Sequence, residues 1–198
     1  MNADKGSHAS GKLGMWLFIA SEVLLFGGLF LLYSMYRLKN PASFHAGSME
    51  LSRVFGTLNT VILITSSLTV ALAIHFLRRK AGGARGYILA TIGLAFAFLI
   101  VKAFEWTEKF HHGLYPKAAV LQSKSQGEIL YFGLYFMMTG LHAVHVIVGI
   151  CVLSVLYVWV KQGKVTGDRP ILLENAGLYW HLVDLIWIFL FPLFYLIS

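Results

Sequence analysis

The sequence has little charge. Of its 198 residues, 13% are Asp, Glu, Lys or Arg and 58% are hydrophobic. Soluble globular domains contain about 25% charged and about 45–50% apolar residues. The composition therefore excludes a soluble enzyme, because too few charged residues exist to cover its surface, and it also excludes a disordered chain. It is typical of a membrane domain, in which about 20 apolar residues form one bilayer-crossing helix.

Cysteine is also scarce, because Cys151 is the only one and lies in an apolar run. A single cysteine excludes a disulfide framework and a thiolate metal cluster. Residues 1–13 are polar and lack the apolar stretch and cleavage site of a secretory signal peptide, so we expect them to form a cytoplasmic tail. The sequence shows no internal repeat.

Five long apolar runs dominate the remainder. Each is long enough to cross a hydrocarbon core of about 30 Å at 1.5 Å per residue. We therefore predict an all-α membrane protein in which residues 14–198 form a single bundle of five transmembrane helices. The predicted spans are 14–36, 54–77, 86–104, 129–160 and 176–197.

The net charge of +7 is best explained as a topology signal. Nine Lys and Arg residues fall on the N-terminal side of the predicted spans and six on the other side, and residues 78–85 contain four of them in one short loop. Positive charge in short loops favours the cytoplasm. We predict a cytoplasmic N-terminus, a C-terminus outside a bacterial plasma membrane, and no nucleic-acid partner.

Two stripes of small and polar residues recur every seven positions. One contains Gly14, Ser21 and Gly28, and the other is Asn59, Ser66 and Ala73. Small residues allow close approach between membrane helices. Both stripes are therefore predicted to face the bundle interior.

Ionisable residues inside the spans need an explanation, because each is costly in a bilayer. Glu22 lies about 12 Å into the first helix by helical rise. Desolvation disfavours its charged form, so we expect a protonated or hydrogen-bonded carboxyl. It is either a proton-linked or lipid-facing group, or a buried acid satisfied by a neighbouring helix.

Histidines in the last two spans suggest further polar contacts. His142 and His145 share one helix face and are either ligands of a metal or haem, or interhelical hydrogen-bond partners. A haem shared with His181 is disfavoured, because the predicted span places His181 only about one turn from its cytoplasmic end. His181 and Asp184 are predicted to pair with each other, for structural or catalytic reasons.

The third span ends in a group of charges. Lys102, Glu105, Glu108 and Lys109 are spaced by three and four residues, which is the spacing of ion pairs on a helix. We predict a solvated ion network near the membrane interface.

Five motifs in this order resemble subunit III of the haem-copper terminal oxidases, in a short five-helix bacterial form. They are residues 15–22 (MWLFIASE), 58–60 (LNT) with His75, 104–108 (FEWTE), 139–145 (TGLHAVH) with Gly149, and 179–184 (YWHLVD) with Trp187. Longer family members have two more N-terminal helices, which complete a lipid-filled cleft.

The resemblance implies a non-redox accessory subunit that docks against oxidase subunit I, with subunit II and small subunits as further partners. The complex reduces O₂ to water with cytochrome c or quinol as donor and pumps protons, while haem and copper lie in partner subunits. The implied roles are phospholipid binding, support of proton uptake and stability of subunit I. Glu22 matches the family's carbodiimide-reactive glutamate, and no catalytic or metal residue is expected in this chain.

Two other functions remain open from the sequence. One is a homologous auxiliary subunit of a nitric oxide reductase. The other is an independent membrane transporter or haem-bearing enzyme, against which stands the absence of an inverted repeat and of broken helix pairs. The polar residues His75, Glu105, Glu108, His142, His145, His181 and Asp184 are expected to stabilise the bundle or to contact another subunit.

Overall fold

The fold is an all-α bundle, as predicted. The computed structural model describes residues 2–80, 82–168 and 170–196, with side chains from Lys12 onward. Within these residues there are seven α-helices and no strand, and a π-helical turn follows the last helix. The helices are α1 (Asn2–Lys39), α2 (Pro41–Met49), α3 (Arg53–Arg78), α4 (Ala84–His111), α5 (Ala119–Gln122), α6 (Gln126–Lys161) and α7 (Ile171–Phe191), and the π turn is Pro192–Leu196.

Five of these elements are long and apolar enough to cross a membrane. They are Lys12–Lys39, Arg53–Arg78, Ala84–His111, Gln126–Lys161 and Ile171–Leu196. The helices run beyond the predicted spans: α1 already begins at Asn2, and α4 continues to His111. Residues 1, 197 and 198 lie outside the described part of the chain.

Local sequence signals explain where several helices begin. Ser125 caps α6 by accepting from the Glu128 amide, and the Glu128 carboxylate accepts from the Ser125 amide in return. This reciprocal capping box satisfies two backbone donors that a helix start leaves free. Gly83 precedes α4 with a φ of 116°, which favours glycine and permits the tight turn from α3.

Helix α7 is the centre of the bundle. Over its membrane window 56% of residues are buried, whereas the corresponding value for α1 is 6%. Its two fully buried tryptophans donate their indole N–H groups to α3, Trp180 to Ser66 Oγ at 3.0 Å and Trp187 to Thr60 Oγ1 at 3.1 Å. Helices α3 and α6 pack directly against α7, while α1 lies at the edge against α6 and α7. Helix α4 packs against α3 and α6 and reaches α7 through Phe98, whose ring contacts Trp187.

The two small-residue stripes differ in burial. Asn59, Ser66 and Ala73 are buried, as predicted. The prediction for α1 is wrong, because Gly14 and Gly28 are exposed and no atom lies within 4 Å of a Cβ built on either glycine. The reason is the edge position of α1, which buries only a narrow strip around Phe26 and Tyr33.

Gly149 permits the close contact between α6 and α7. A Cβ at this position would lie 2.5 Å from Cζ3 of Trp180. We expect Gly149→Ala to destabilise the bundle by about 1–3 kcal/mol, the usual cost of overpacking. The measurement is the temperature at which the chain dissociates from its purified complex. Gly133→Ala on the same helix is the control, because nothing lies within 4 Å of its Cβ; equal effects would contradict the packing account.

Candidate functional site

Glu22 pairs with His145 across the α1–α6 interface. Glu22 Oε2 lies 3.1 Å from His145 Nε2, and the two side chains are 13% and 15% exposed. The other ring nitrogen, Nδ1, donates to the Leu141 carbonyl at 2.7 Å. Both polar ends of the imidazole are therefore engaged.

The geometry fixes how many protons the pair holds. A carbonyl oxygen only accepts, so the Leu141 contact requires a proton on Nδ1 of His145. One further proton then lies between Nε2 and the Glu22 carboxyl. It belongs either to a neutral glutamic acid or to an imidazolium.

Aromatic residues enclose this pair. The Phe26 ring lies edge-on to the His145 ring with centroids 5.5 Å apart. The Tyr179 hydroxyl of α7 donates to the His145 carbonyl at 2.9 Å. Helices α1, α6 and α7 thus contribute to the surroundings of the pair.

His142 points away from this site. It is 0% exposed and lies in the core, with its ring 5.2 Å from Trp187 and 5.4 Å from Phe98 between centroids. Neither ring nitrogen has a hydrogen-bond partner among the described residues. The prediction that His142 and His145 make interhelical hydrogen bonds therefore holds for His145 and is wrong for His142.

The predicted His181–Asp184 pair does not form. His181 Nδ1 instead bonds the Ser67 hydroxyl of α3 at 2.6 Å, and the Asp184 carboxyl is buried without a hydrogen-bond partner among the described residues. The Ser67 hydroxyl lies beside both groups. Spacing alone missed this arrangement, because α3 packs against α7 and offers a better-placed hydroxyl.

The depth argument about His181 also fails. Helix α7 begins at Ile171 rather than at 176, so His181 lies ten residues inside the helix. Tyr179 contacts the His145 carbonyl, which puts His145 and His181 at similar depth. A haem shared between these histidines is disfavoured for another reason: the two ring nitrogens of His145 already bond Glu22 and Leu141.

The charges at the end of α4 form a buried cluster rather than the predicted solvated network. Lys102 is 2% and Glu105 0% exposed, and Lys102 Nζ lies 3.0 Å from Glu105 Oε2. The ammonium also donates to Tyr135 at 3.0 Å and to Tyr195 at 2.8 Å. Tyr195 in turn donates to Glu105 Oε1 at 2.6 Å. The predicted pairing of Lys102 with Glu105 three residues later is confirmed. The predicted solvation is wrong, because α6 and the C-terminal π turn cover this end of α4.

The remaining predicted residues lie apart from these clusters. Lys109 is buried and donates to the Glu50 carbonyl. Glu108 is exposed at the end of α4, and His75 is exposed in the last turn of α3, where its ring contacts Phe76. Glu108 and His75 therefore belong neither to the Glu22–His145 pair nor to the Lys102–Glu105 cluster.

Sequence reasoning missed Tyr135, Tyr195 and Ser67 as partners. A signal existed for the first two, because Lys102 lies inside an apolar span and a lysine there must find partners. Nothing in the sequence indicates which hydroxyls these partners would be. Among the described residues no three His, Cys, Asp or Glu side chains form a group that could hold a metal.

The fold and these clusters define a class: a polytopic helical membrane subunit with paired ionisable groups inside its bundle. Comparison with known proteins supplies the family. The profile of the family described as cytochrome c oxidase subunit III matches residues 4–198. The chain therefore belongs to the cytochrome c oxidase subunit III family.

Individual relatives agree with this family. The chain is 34% identical to the heme-copper oxidase subunit I+III of Aeropyrum pernix over 94% of its own length, and it spans 22% of that longer protein. It is 30% identical to the quinol oxidase subunit 3 of Bacillus subtilis, covering 94% of the chain and 86% of the relative. The cytochrome c oxidase subunit 3 of Corynebacterium diphtheriae is 29% identical, and the match covers 94% of the chain and 88% of the relative.

The chain is thus an accessory subunit of a haem-copper oxidase and a multi-pass membrane protein. The Aeropyrum relative carries the names of subunits I and III in one protein. An oxidase subunit I is accordingly the partner that the family indicates for this chain.

Proposed function

We propose that this chain supports proton uptake into subunit I, binds phospholipid and stabilises the oxidase during turnover, without holding a redox centre itself. The observation that carries this proposal is the Glu22–His145 pair, in which Oε2 and Nε2 lie 3.1 Å apart. Such a pair stores and exchanges a proton at membrane depth without an uncompensated charge. Haem and copper are assigned to partner subunits, with cytochrome c or quinol as electron donor and subunit II and small subunits completing the complex.

The carbodiimide reaction tests this role of Glu22. An apolar carbodiimide activates a protonated carboxyl in apolar surroundings. Because α1 lies at the edge of the bundle, the Glu22 side chain is 13% exposed and can be reached by the reagent. We expect the reagent to label Glu22 in the purified complex and Glu22→Gln to abolish the labelling while the complex still assembles. Mass spectrometry of the digested chain locates the adduct.

A matched control is Glu108→Gln. Glu108 is exposed at the end of α4, so its replacement leaves labelling at Glu22 unchanged. Labelling of Glu22→Gln as strong as wild type would show that the reactive carboxyl is a different one, and the role assigned to Glu22 would be wrong.

Phospholipid binding is proposed from two adjacent grooves at the Lys12 end of α1. One groove of about 620 Å³ lies between α1, α6 and α7 and has an apolar lining that includes Phe18 and Trp159. A second groove of about 380 Å³ is lined by Lys12 and Arg78. The first suits an acyl chain. In the second, Lys12 is the cation for a headgroup phosphate, because Arg78 is paired with Glu174, which lines the same groove.

The orientation is proposed from the positive charges. The turn between α3 and α4 and the loop between α6 and α7 lie on one side, where Arg78 pairs with Glu174 at 2.8 Å and Lys80 with Asp168 at 2.8 Å. Under the charge rule for short loops this side is cytoplasmic. The N-terminus is then cytoplasmic and the C-terminus outside.

A further inference from the structure

Three buried side chains of the bundle interior have unpartnered polar atoms. They are Asn59 on α3, His142 on α6 and Asp184 on α7, which are 0%, 0% and 4% exposed. Both polar atoms of each lack a hydrogen bond of good geometry among the described residues, although the Ser67 hydroxyl lies near the Asp184 carboxyl. Buried polar groups are almost always bonded to protein or to ordered water, because an unmade bond leaves the desolvation penalty uncompensated.

The packing of α7 brings two of these side chains close together. The His142 ring lies 5.2 Å from the Trp187 ring between centroids. Asp184 precedes Trp187 by three residues, so the two are about one turn apart on the same face of α7. Both side chains therefore flank the same indole.

Helix register places Asn59 at the same level. Trp180 bonds Ser66 across the antiparallel α3–α7 contact at 3.0 Å. Seven residues, about two turns, separate Ser66 from Asn59 and also Trp180 from Trp187. Asn59 and Trp187 therefore face each other across the same interface, and Thr60, the neighbour of Asn59, accepts from Trp187 Nε1 at 3.1 Å.

A small residue of α4 lies at the same level of the bundle. Phe98 of α4 contacts Trp187 with ring centroids 4.9 Å apart, so Ala95, one turn earlier on α4, lies at the level of Asp184 in the parallel α7 helix. Ala95 is buried and has the smallest of side chains with a Cβ.

The nearby charge decides the kind of ligand. The Lys102 ammonium lies 5.2 Å from the Trp187 ring centroid, and all of its described hydrogen bonds go to Glu105, Tyr135 and Tyr195. An ammonium at this distance repels a metal cation in a low-dielectric interior. A neutral molecule that both donates and accepts hydrogen bonds can supply partners for the Asn59 amide, the His142 imidazole and the Asp184 carboxyl together.

We propose that ordered water molecules bind around Trp187 and bridge Asn59, His142 and Asp184. The hydrated cluster lies between the Ser67–His181 pair on one side and the Lys102–Glu105 cluster on the other. Polar groups then follow one another from His181 in α7 to Tyr195 in the π turn. This interior site is separate from Glu22 and His145 and does not depend on their proposed role.

Hydroxyl-radical footprinting of the purified complex tests the proposal. A brief X-ray pulse generates radicals from water, and a buried side chain is oxidised where water is bound next to it. We expect His142 and Trp187 to be oxidised although both are 0% exposed. Tyr131 and Phe132 are equally buried in an aromatic cluster and serve as unlabelled references. Labelling of His142 and Trp187 no higher than that of these references would overturn the proposal.

Two variants locate the water. Asn59→Leu removes the amide at similar volume, and we expect it to reduce oxidation of His142 and Trp187 several-fold. Thr91→Val removes a buried hydroxyl that already bonds the Tyr87 carbonyl, and it leaves the labelling unchanged. Equal labelling in Asn59→Leu and wild type, or labelling that disappears on treatment with a chelator, contradicts bridging water. The wild-type pattern stands as a test by itself if a variant fails to assemble.

Discussion

Replacing Lys102 with methionine is expected to destabilise the bundle by about 3–5 kcal/mol, the usual effect of removing one partner of a buried ion pair. Glu105 is 0% exposed and would lose its cation at 3.0 Å. Tyr195 would remain as a donor to its carboxylate, but one neutral hydroxyl does not compensate a buried charge. Methionine fills the volume of the lysine stem, so the loss reports on charge rather than on a cavity.

The double variant separates charge from packing. Lys102→Met combined with Glu105→Gln removes both charges, and we expect it to recover more than half of the lost stability. Lys161→Met, at the exposed end of α6, is the matched single-lysine control. The measurement is the temperature at which the chain leaves the purified complex. A Lys102→Met complex as stable as the Lys161→Met complex would show that the ion pair contributes little.

Removing the chain from the oxidase is expected to leave O₂ reduction active at first and to shorten its duration. The chain holds ionisable pairs but, in the proposed account, no redox centre, so electron transfer to O₂ persists in the partner subunits. What is lost is proton supply through Glu22 and His145 and the stability that a docked bundle and its lipid give to subunit I. Continuous recording of O₂ consumption checks this.

Adding the chain back provides the control for that experiment. Wild-type chain restores the duration of turnover, and Glu22→Gln restores it less completely, because the variant docks but cannot exchange a carboxyl proton. Gly133→Ala restores the duration of turnover fully, since no atom lies within 4 Å of the added Cβ. A depleted complex that turns over as long as the intact one would refute the supporting role.

The five spans could be predicted from sequence because a lipid environment imposes a simple rule. A helix must present about 20 apolar residues, and the five runs do so without interruption. The ends of the helices were harder, because α4 continues through charged residues to His111. Lys102 and Glu105 are charged in sequence yet buried in the fold, and only the position of α6 and the π turn explains that.

The polar contacts could be predicted only in part. Depth alone indicated that Glu22 needs a partner, and the structure supplies His145 from a residue 123 positions away. Local spacing correctly paired Lys102 with Glu105, but it also paired His181 with Asp184, whereas the structure pairs His181 with Ser67. Partners within a bundle are chosen by interhelical register, which apolar periodicity does not encode.

Separation of this chain from its complex, followed by an optical spectrum of both fractions, tests the central claim most directly. The claim is that an accessory subunit supports a redox site that it does not contain. We predict that the haem absorption remains entirely with the partner subunits and that this chain is colourless. Haem that stays with this chain after separation, or immediate loss of haem from the remaining subunits, would contradict the account.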